Sequence, residues 1–341
     1  MNPAPASPRL NTVLVGVGGF GRTWWPSLTA HSDRIHVVAV VDPDAQARDE
    51  AARHFRLAPH AVRDLLDAAL LRDVGAELVV DSSPPPYRRA HALVSLAHGA
   101  RLIAAKPLGW SLKSAEDIVR AGPTPESVTV VQQMRYFPCL RALRELLDEG
   151  RYGPVTSVSV EMALDSHGWA PGMEWRVGMD HPVFLEAAIH HLDLLRHCLG
   201  TELNVVGAAE WNPPWSPFPA GGAVAALLRT GDGVPVHYEA TLAPRPGRAL
   251  VRFDSGWQVT CRDATLTVVD GGLFVDGEPT GVPATAAPVP LHDLNDRLLT
   301  DWLAALDAGR PAPVNGRDNL VSMRLLDQVM RAAADGAQAR T

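Results

Sequence analysis

The sequence predicts a two-part α/β chain: a doubly wound parallel sheet first, then an α+β part built on a large, mostly antiparallel open sheet. Three observations carry that prediction. Over the first third, short and nearly continuous apolar runs alternate with helical stretches, as strands buried on both faces do. Gly16-Val-Gly-Gly-Phe-Gly21 follows the first of those runs. Beyond residue 155 the runs alternate apolar with polar residues and are joined by turn signals such as Gly231-Asp-Gly233 and Asp270-Gly-Gly272, as in a meander with one polar or partner-covered face.

In order, Thr12–Val17 and Ile35–Val41 read as strands, followed by a helix to Phe55 and another over Asp64–Leu71. Leu78–Asp81 is a strand closed by Ser82-Ser-Pro-Pro-Pro86; Arg88–His98 is a helix and Arg101–Ala105 the next strand. Ser111 or Ser114 caps a helix to Arg120, and Val128–Gln132 ends the series. Val155–Glu161 alternates like a half-exposed strand, and Val183–Leu199 is strongly helical. Strand-like runs follow at 203–211, 223–229, 234–242, 249–254, 257–262 and 264–269; Leu291–Ala308 and Asn319–Ala334 are closing helices. The expected domains are a flexible tail at 1–8, a dinucleotide-binding part at 9–135, a substrate and oligomerisation part at 136–290, and helices packing back on the first part over 291–341.

A length of 341 residues fits that division, and 20% charged residues with 46% apolar residues mark a globular chain. A net charge of −7 gives no electrostatic reason to expect nucleic acid or an anionic membrane as partner. No run approaches the roughly 18 apolar residues of a membrane span. Met1–Pro8 lacks the basic and apolar regions of a signal peptide, and Cys139, Cys198 and Cys261 are scattered and odd in number. The expectation is a cytoplasmic protein without a disulfide framework.

The glycine turn stands where a dinucleotide fingerprint belongs, after a strand and before a helical stretch. Gly16 makes the tight turn, Gly18 and its neighbours Gly19 and Phe20 bring backbone to the pyrophosphate, and Gly21 lets the helix close on the strand. Asp42 ends the second strand 21 residues after Gly21, where an acid accepts hydrogen bonds from the adenosine ribose. A carboxylate there repels a 2′-phosphate and no arginine follows immediately, so NAD is expected over NADP. Trp24 and Trp25 are read either as cofactor-edge residues or as packing.

Only two lysines occur, Lys106 and Lys113, against 29 arginines (31 basic residues less 2). Lys106 follows the Arg101–Ala105 strand, and an amine can be tuned where a guanidinium cannot. Glu186, His190 and Asp193 have spacings of i,i+4 and i,i+3, which put them on one face of an α-helix. A histidine flanked by carboxylates suits proton transfer near neutral pH. His190, Asp193 and His197 are also spaced for metal ligation, but no cysteine or HExxH-type motif supports a metal. Arg135, His167, Trp175 and Arg176 are candidate substrate contacts.

With these pieces in order, the chain resembles the Gfo/Idh/MocA oxidoreductases. The resemblance runs through Gly16–Gly21, Ser83-Pro84-Pro85, Lys106-Pro107, Met134-Arg-Tyr-Phe-Pro138, Glu149-Gly-Arg-Tyr-Gly-Pro154, Trp175-Arg176, Glu186-x-x-x-His190-x-x-Asp193 and Ala308-Gly-Arg-Pro-Ala-Pro-Val314. It implies an N-terminal Rossmann domain and a C-terminal α/β domain with an open sheet. It implies Ser83, Pro84, Pro85 and Lys106 at the cofactor, Lys106 and His190 as the catalytic pair with Glu186 beside them, and Arg135, Trp175, Arg176 and Asp193 toward substrate. The implied reaction moves a hydride between nicotinamide and a secondary alcohol of a sugar, cyclitol or related polyol. A biosynthetic ketone or imine reductase, an NAD-dependent glycoside hydrolase and a non-catalytic dinucleotide-binding sensor are the rival readings. The open sheet points to a homodimer or homotetramer. Two departures stand out: Ala105 where the family has Glu before the lysine, and Arg88 where it often has His.

Overall fold

The computed structural model of the chain describes residues 9–169 and 174–338, with backbone only at 169, 174, 175, 337 and 338. The tail expected at 1–8 lies outside the described residues. Two compact units result: one runs to Gln133 and resumes over Pro290–Val321, the other comprises Met134–Val289 and the chain from Ser322.

The first unit is β1 (Leu10–Val15), α1 (Trp25–Ala30), β2 (Ile35–Val41), α2 (Ala45–Phe55), β3 (Val62–Arg63), α3 (Ala68–Asp73), β4 (Leu78–Asp81), α4 (Pro85–His98), β5 (Arg101–Ala105), α5 (Leu112–Ala121) and β6 (Val128–Val131). The sheet order is β3-β2-β1-β4-β5-β6, and every pairing is parallel. The order reverses between β1 and β4, whose carboxyl ends meet at Val15 opposite Asp81. Ligands of such sheets bind outside the strand ends at that reversal. Local chemistry sets the helix limits. Asp44 accepts from Gln46 N at 2.8 Å to open α2, Ser111 accepts from Ser114 N at 3.2 Å to open α5, and Gly99 at φ 91° closes α4.

The second unit contains α6 (Pro138–Asp148), β7 (Val155–Ala163), α7 (Glu174–Val177), a π-helical stretch Val183–Ala188, α8 (Ile189–Leu199), β8 (Leu203–Trp211), β9 (Ala223–Thr230), β10 (Pro235–Thr241), β11 (Trp257–Cys261), β12 (Thr265–Val269), β13 (Gly272–Val275) and β14 (Glu278–Pro279). Its eight strands run β14-β13-β12-β11-β7-β10-β9-β8, with β7 and β10 parallel and the other pairs antiparallel. One face buries Val158, Val160, Leu228, Tyr238 and Trp257; the other carries Ser159, Leu227, His237 and Gln258 in adjacent register. The chain closes with α9 (Leu291–Asp307) and α10 (Gly316–Gln338).

Three expectations need correction. The helix expected over 64–71 is α3, which begins only at Ala68, where Asp67 accepts from Leu70 N at 2.7 Å; Val62 and Arg63, ahead of the expected start, pair as β3. The run 249–254 is not a strand: it lies between the Pro246-Gly247 turn and Gly256 at φ 72°, and makes a single bridge from Val251 to Ala163. The helical stretch expected after the glycine turn is present as a six-residue 3₁₀ segment, Gly19–Trp24, that runs into α1, with Pro26 in the first turn of α1. The closing segment does not belong as a whole to the first unit, since α10 from Ser322 clusters with the second.

Candidate active site

In the first unit the site residues gather at the sheet reversal. Gly16 has φ 72°, and a Cβ there would lie 2.8 Å from Ser83 N; a Cβ on Gly21 would lie 1.7 Å from Gly16 O. These two glycines are required by the packing of the turn itself. A Cβ on Gly18 would meet only Ala47 Cβ at 3.6 Å, and one on Gly19 would meet nothing within 4 Å. The turn is thus closed on the protein side and open on the other, which fits a bound pyrophosphate approaching bare backbone.

Asp42 is built into the same turn. Its Oδ2 accepts from Val17 N at 2.7 Å and Gly18 N at 3.3 Å, and its Oδ1 from Asp44 N at 2.9 Å. Three backbone N–H groups thus fix the carboxylate in place at the end of β2. Arg48, which sequence reasoning passed over, folds back one helical turn and donates through Nη1 to the carbonyls of Asp42 and Pro43 at 2.5 and 2.9 Å. Trp24 and Trp25 are packing residues: Trp24 is fully buried, and Trp25 sits 5.0 Å from the His54 ring and 5.9 Å from Phe55. Asn295 of α9 braces the turn, donating to Thr23 Oγ1 at 2.9 Å, while Thr23 donates to Phe20 O at 2.6 Å. No motif marked Asn295.

Ser83, Pro84 and Pro85 form the entry to α4. Ser83 N donates to Asp81 Oδ1 at 2.8 Å, and His91 Nδ1 lies 3.2 Å from Ser83 Oγ and 3.4 Å from Asp81 Oδ2. Burial raises the Asp81 carboxyl, but bonding to His91 and the charge of Arg88 outweigh it and hold it below its ordinary value. Lys106 is half-buried between the buried Ala105 and Pro107, with the Lys106–Pro107 peptide cis. The Arg88 guanidinium, 1% exposed, donates to Ser83 O and to Pro107 O.

In the second unit, His190 and Asp193 lie on α8 as expected, and both are buried. Glu186 lies in the π-helical stretch that runs into α8, four residues ahead of His190. Its carboxylate lies 3.4 Å from Arg176 Nε. Arg135 Nε and Nη2 donate to the two oxygens of Asp193 at 2.7 and 2.6 Å, and Ser322 Oγ donates to the same carboxylate at 2.8 Å. That pair anchors the helix. Asp193, wholly buried, presents no surface to a substrate.

The His190 ring meets Phe253 edge-on at 5.3 Å, and His191 stacks on the same ring at 5.0 Å. The His191 Nδ1 lies 3.3 Å from the Tyr238 hydroxyl, and burial pushes the imidazole down to about 3, so it is neutral. His167 has Asp165 on Nδ1 at 2.5 Å and Trp215 O on Nε2 at 2.9 Å, which raise its pKa. The side chain of Trp175 lies outside the described residues. His197 pairs with Arg144 Nη1 at 2.9 Å. Among the described residues no cluster of three or more histidine, cysteine or acidic side chains is arranged to hold a metal. None of the helices described is long and apolar enough to cross a membrane.

Two family models match the chain: an oxidoreductase family NAD-binding Rossmann fold over residues 10–132 and a GFO/IDH/MocA C-terminal domain over 140–267. The chain is 26% identical over 240 residues to the uncharacterized protein y4oX of Sinorhizobium fredii; the match takes in 68% of this chain and 66% of that protein, under two thirds of its length. It is 25% identical over 349 residues to D-apiose dehydrogenase of Paraburkholderia graminis, covering 96% of this chain and 88% of that one. Its fold is similar to a crystal structure of an oxidoreductase from Agrobacterium radiobacter in complex with NAD+, L-tartaric acid and magnesium, with a TM-score of 0.81, 20% identity, and coverage of 96% and 97% of the two chains.

Proposed function

The chain belongs to the GFO/IDH/MocA oxidoreductase family, and from that premise we propose that it is an NAD-dependent dehydrogenase or reductase acting on a secondary alcohol or ketone of a sugar, cyclitol or related polyol. The observation that carries the reading is the turn itself, where Gly16 and Gly21 admit no side chain, Gly18 has only Ala47 beside it and Gly19 faces open space. The sugar class is supported by the relative named as an apiose dehydrogenase. NAD over NADP is the reading supported by Asp42, whose carboxylate is fixed by backbone N–H groups at the end of β2, where the motif places the ribose-binding acid.

Gly16 to Gly21 would hold the pyrophosphate, Asp42 the adenosine ribose, and Ser83 to Pro85 the nicotinamide end. Bound there, the dinucleotide supplies a hydride acceptor or donor. His190 takes the hydroxyl proton of the alcohol, or returns it in reduction. Buried, with Phe253 edge-on to its ring, it is poised for proton exchange with substrate rather than bulk water. Lys106 donates a hydrogen bond to the substrate oxygen as its charge changes. Glu186 and Arg176 balance each other's charge near the helix start. Asp193 and Arg135 keep His190 in place and do not touch substrate.

The exposed sheet face, with Val206, Leu227 and Val269 each more than a third open, is assigned to self-association as a dimer or tetramer. The test is a screen of polyols and sugars for NAD reduction at 340 nm, followed by Lys106→Ala and His190→Ala. Each substitution is expected to lower turnover by about a hundredfold or more, with NADH affinity within a few-fold. Undiminished turnover in either variant sinks that residue's role.

A further inference from the structure

We propose that Arg88 is the positioning residue of Lys106. Its buried guanidinium ties the loop after β5 to the loop after β4 and so fixes where the lysine amine stands. The inference rests on the reading of Lys106 as a residue that acts on substrate.

Arg88 lies in the first turn of α4 and is 1% exposed. One terminal nitrogen donates to Ser83 O, the other to Pro107 O. Those carbonyls belong to different loops at the ends of neighbouring strands, β4 and β5, which pair with Asp81 opposite Ala104. The planar fork of a guanidinium holds two acceptors at a fixed separation, which no other side chain does in the same way. An arginine buried for stability alone is a poor choice, since apolar packing of similar volume serves as well or better.

Its charge is met locally by the buried carboxylate of Asp81, itself bonded to Ser83 N and facing His91. On the far side of Lys106 the chain is equally restricted. Leu108 is fully buried, and a Cβ on Gly109 would lie 2.6 Å from Ala115 N at the start of α5. Lys106 is thus the half-buried residue of a loop whose backbone is pinned before and after it. Ala105 stands where the resemblance puts a Glu, and the bond to the Pro107 carbonyl restrains the backbone that carries the lysine.

Two lysines make the test clean. In protein labelled with ¹³C,¹⁵N-lysine, the side-chain signals of Lys106 and Lys113 are assigned with Lys113→Arg. Lys113, 72% exposed and paired with Asp117, then serves as the internal reference. In Arg88→Gln and Arg88→His, the Lys106 signal is expected to move and broaden while that of Lys113 stays. NADH affinity should stay within about threefold and kcat fall on the order of a hundredfold, as a misplaced group causes. Arg88→His keeps a donor near Asp81 and decides the matter if the glutamine variant does not fold. An unshifted, equally sharp Lys106 signal in a folded variant overturns the proposal. If Lys106→Ala leaves turnover intact, the catalytic reading fails, and the lysine spectra still decide whether Arg88 positions the loop.

Discussion

Arg135 and Asp193 face each other through two buried N–H···O bonds of 2.7 and 2.6 Å, 58 residues apart in the chain. The pair joins the segment before α6 to the middle of α8. Removing one partner leaves the other charged and out of water. Asp193→Ala is expected to cost about 3–5 kcal/mol, read from urea unfolding, and a loss below about 1 kcal/mol would contradict an anchoring role. Asp193→Asn, which keeps an acceptor, should cost less.

The glycine turn makes a sharper prediction for binding. A Cβ on Gly21 would fall 1.7 Å from Gly16 O. Gly21→Ala should therefore displace the backbone and weaken NADH binding at least about a hundredfold, or nearly 3 kcal/mol, measured by NADH fluorescence. Gly19→Ala meets no neighbour but carries a φ of 41°. It is expected to bind more weakly than wild type and more tightly than Gly21→Ala.

Asp42 braces the turn through Val17 N and Gly18 N, and its proposed role in choosing the cofactor can be tested separately. Asp42→Ser should lower NAD affinity about tenfold or more, with a smaller loss or a gain for NADP. The readout is the ratio of the two dissociation constants. An unchanged ratio would show that the carboxylate does not discriminate against the 2′-phosphate.

Two histidines give stability opposite pH dependences. Burial depresses His191 from 6.5 to about 3, so the unfolded chain binds its proton first as pH falls. Stability from this group is complete above 6.5 and is lost between 6.5 and 3 by up to about 1.4 kcal/mol per pH unit. His181 is raised above 6.5 by its bond to Glu210, at 2.9 Å. Its contribution is present below 6.5 and disappears as pH rises through the folded value. Because the His181 side chain is 45% exposed, screening keeps that effect under about 1 kcal/mol. Melting temperatures across pH 4 to 8 should show His191→Phe flattening the acid side and Glu210→Gln flattening the neutral side.

The sequence showed the fold where pattern and punctuation agree. Ile35–Val41 coincides with β2, Arg101–Ala105 with β5 and Leu203–Trp211 with β8. Ser111, one of two caps considered, is the cap. Features made by long-range bonds were hidden. The π-helical turn holding Glu186 is invisible to a 3.6-residue periodicity, because apolar residues fill Val183–Ala188 on every side. Arg48 and Asn295 have no motif, and Arg88 stands out only as a departure where the family often has His; what matters about each is a carbonyl or hydroxyl brought near by folding. Asp193 and Arg135 were both read as substrate contacts, and spacing alone had no means of showing that they occupy each other. His190 and His191 share Phe253, a contact no periodicity shows, because the 249–254 run does not form a strand.

β7 is the first strand of its sheet in the chain and the middle one in space, between β11 and β10. The two meanders that flank it, β8 to β10 and β11 to β14, can each zip locally as they leave the ribosome, but neither meets the other until both have found β7. Its parallel pairing with β10 spans about eighty residues, Val158 opposite Val236, and such distant closure is slow to nucleate. Until then both edges of β7 remain open templates for a neighbouring chain. Yield on refolding should therefore depend more on protein concentration than on the strength of either meander, and substitutions in Val155–Ala163 should trouble expression more than their cost in the finished protein implies.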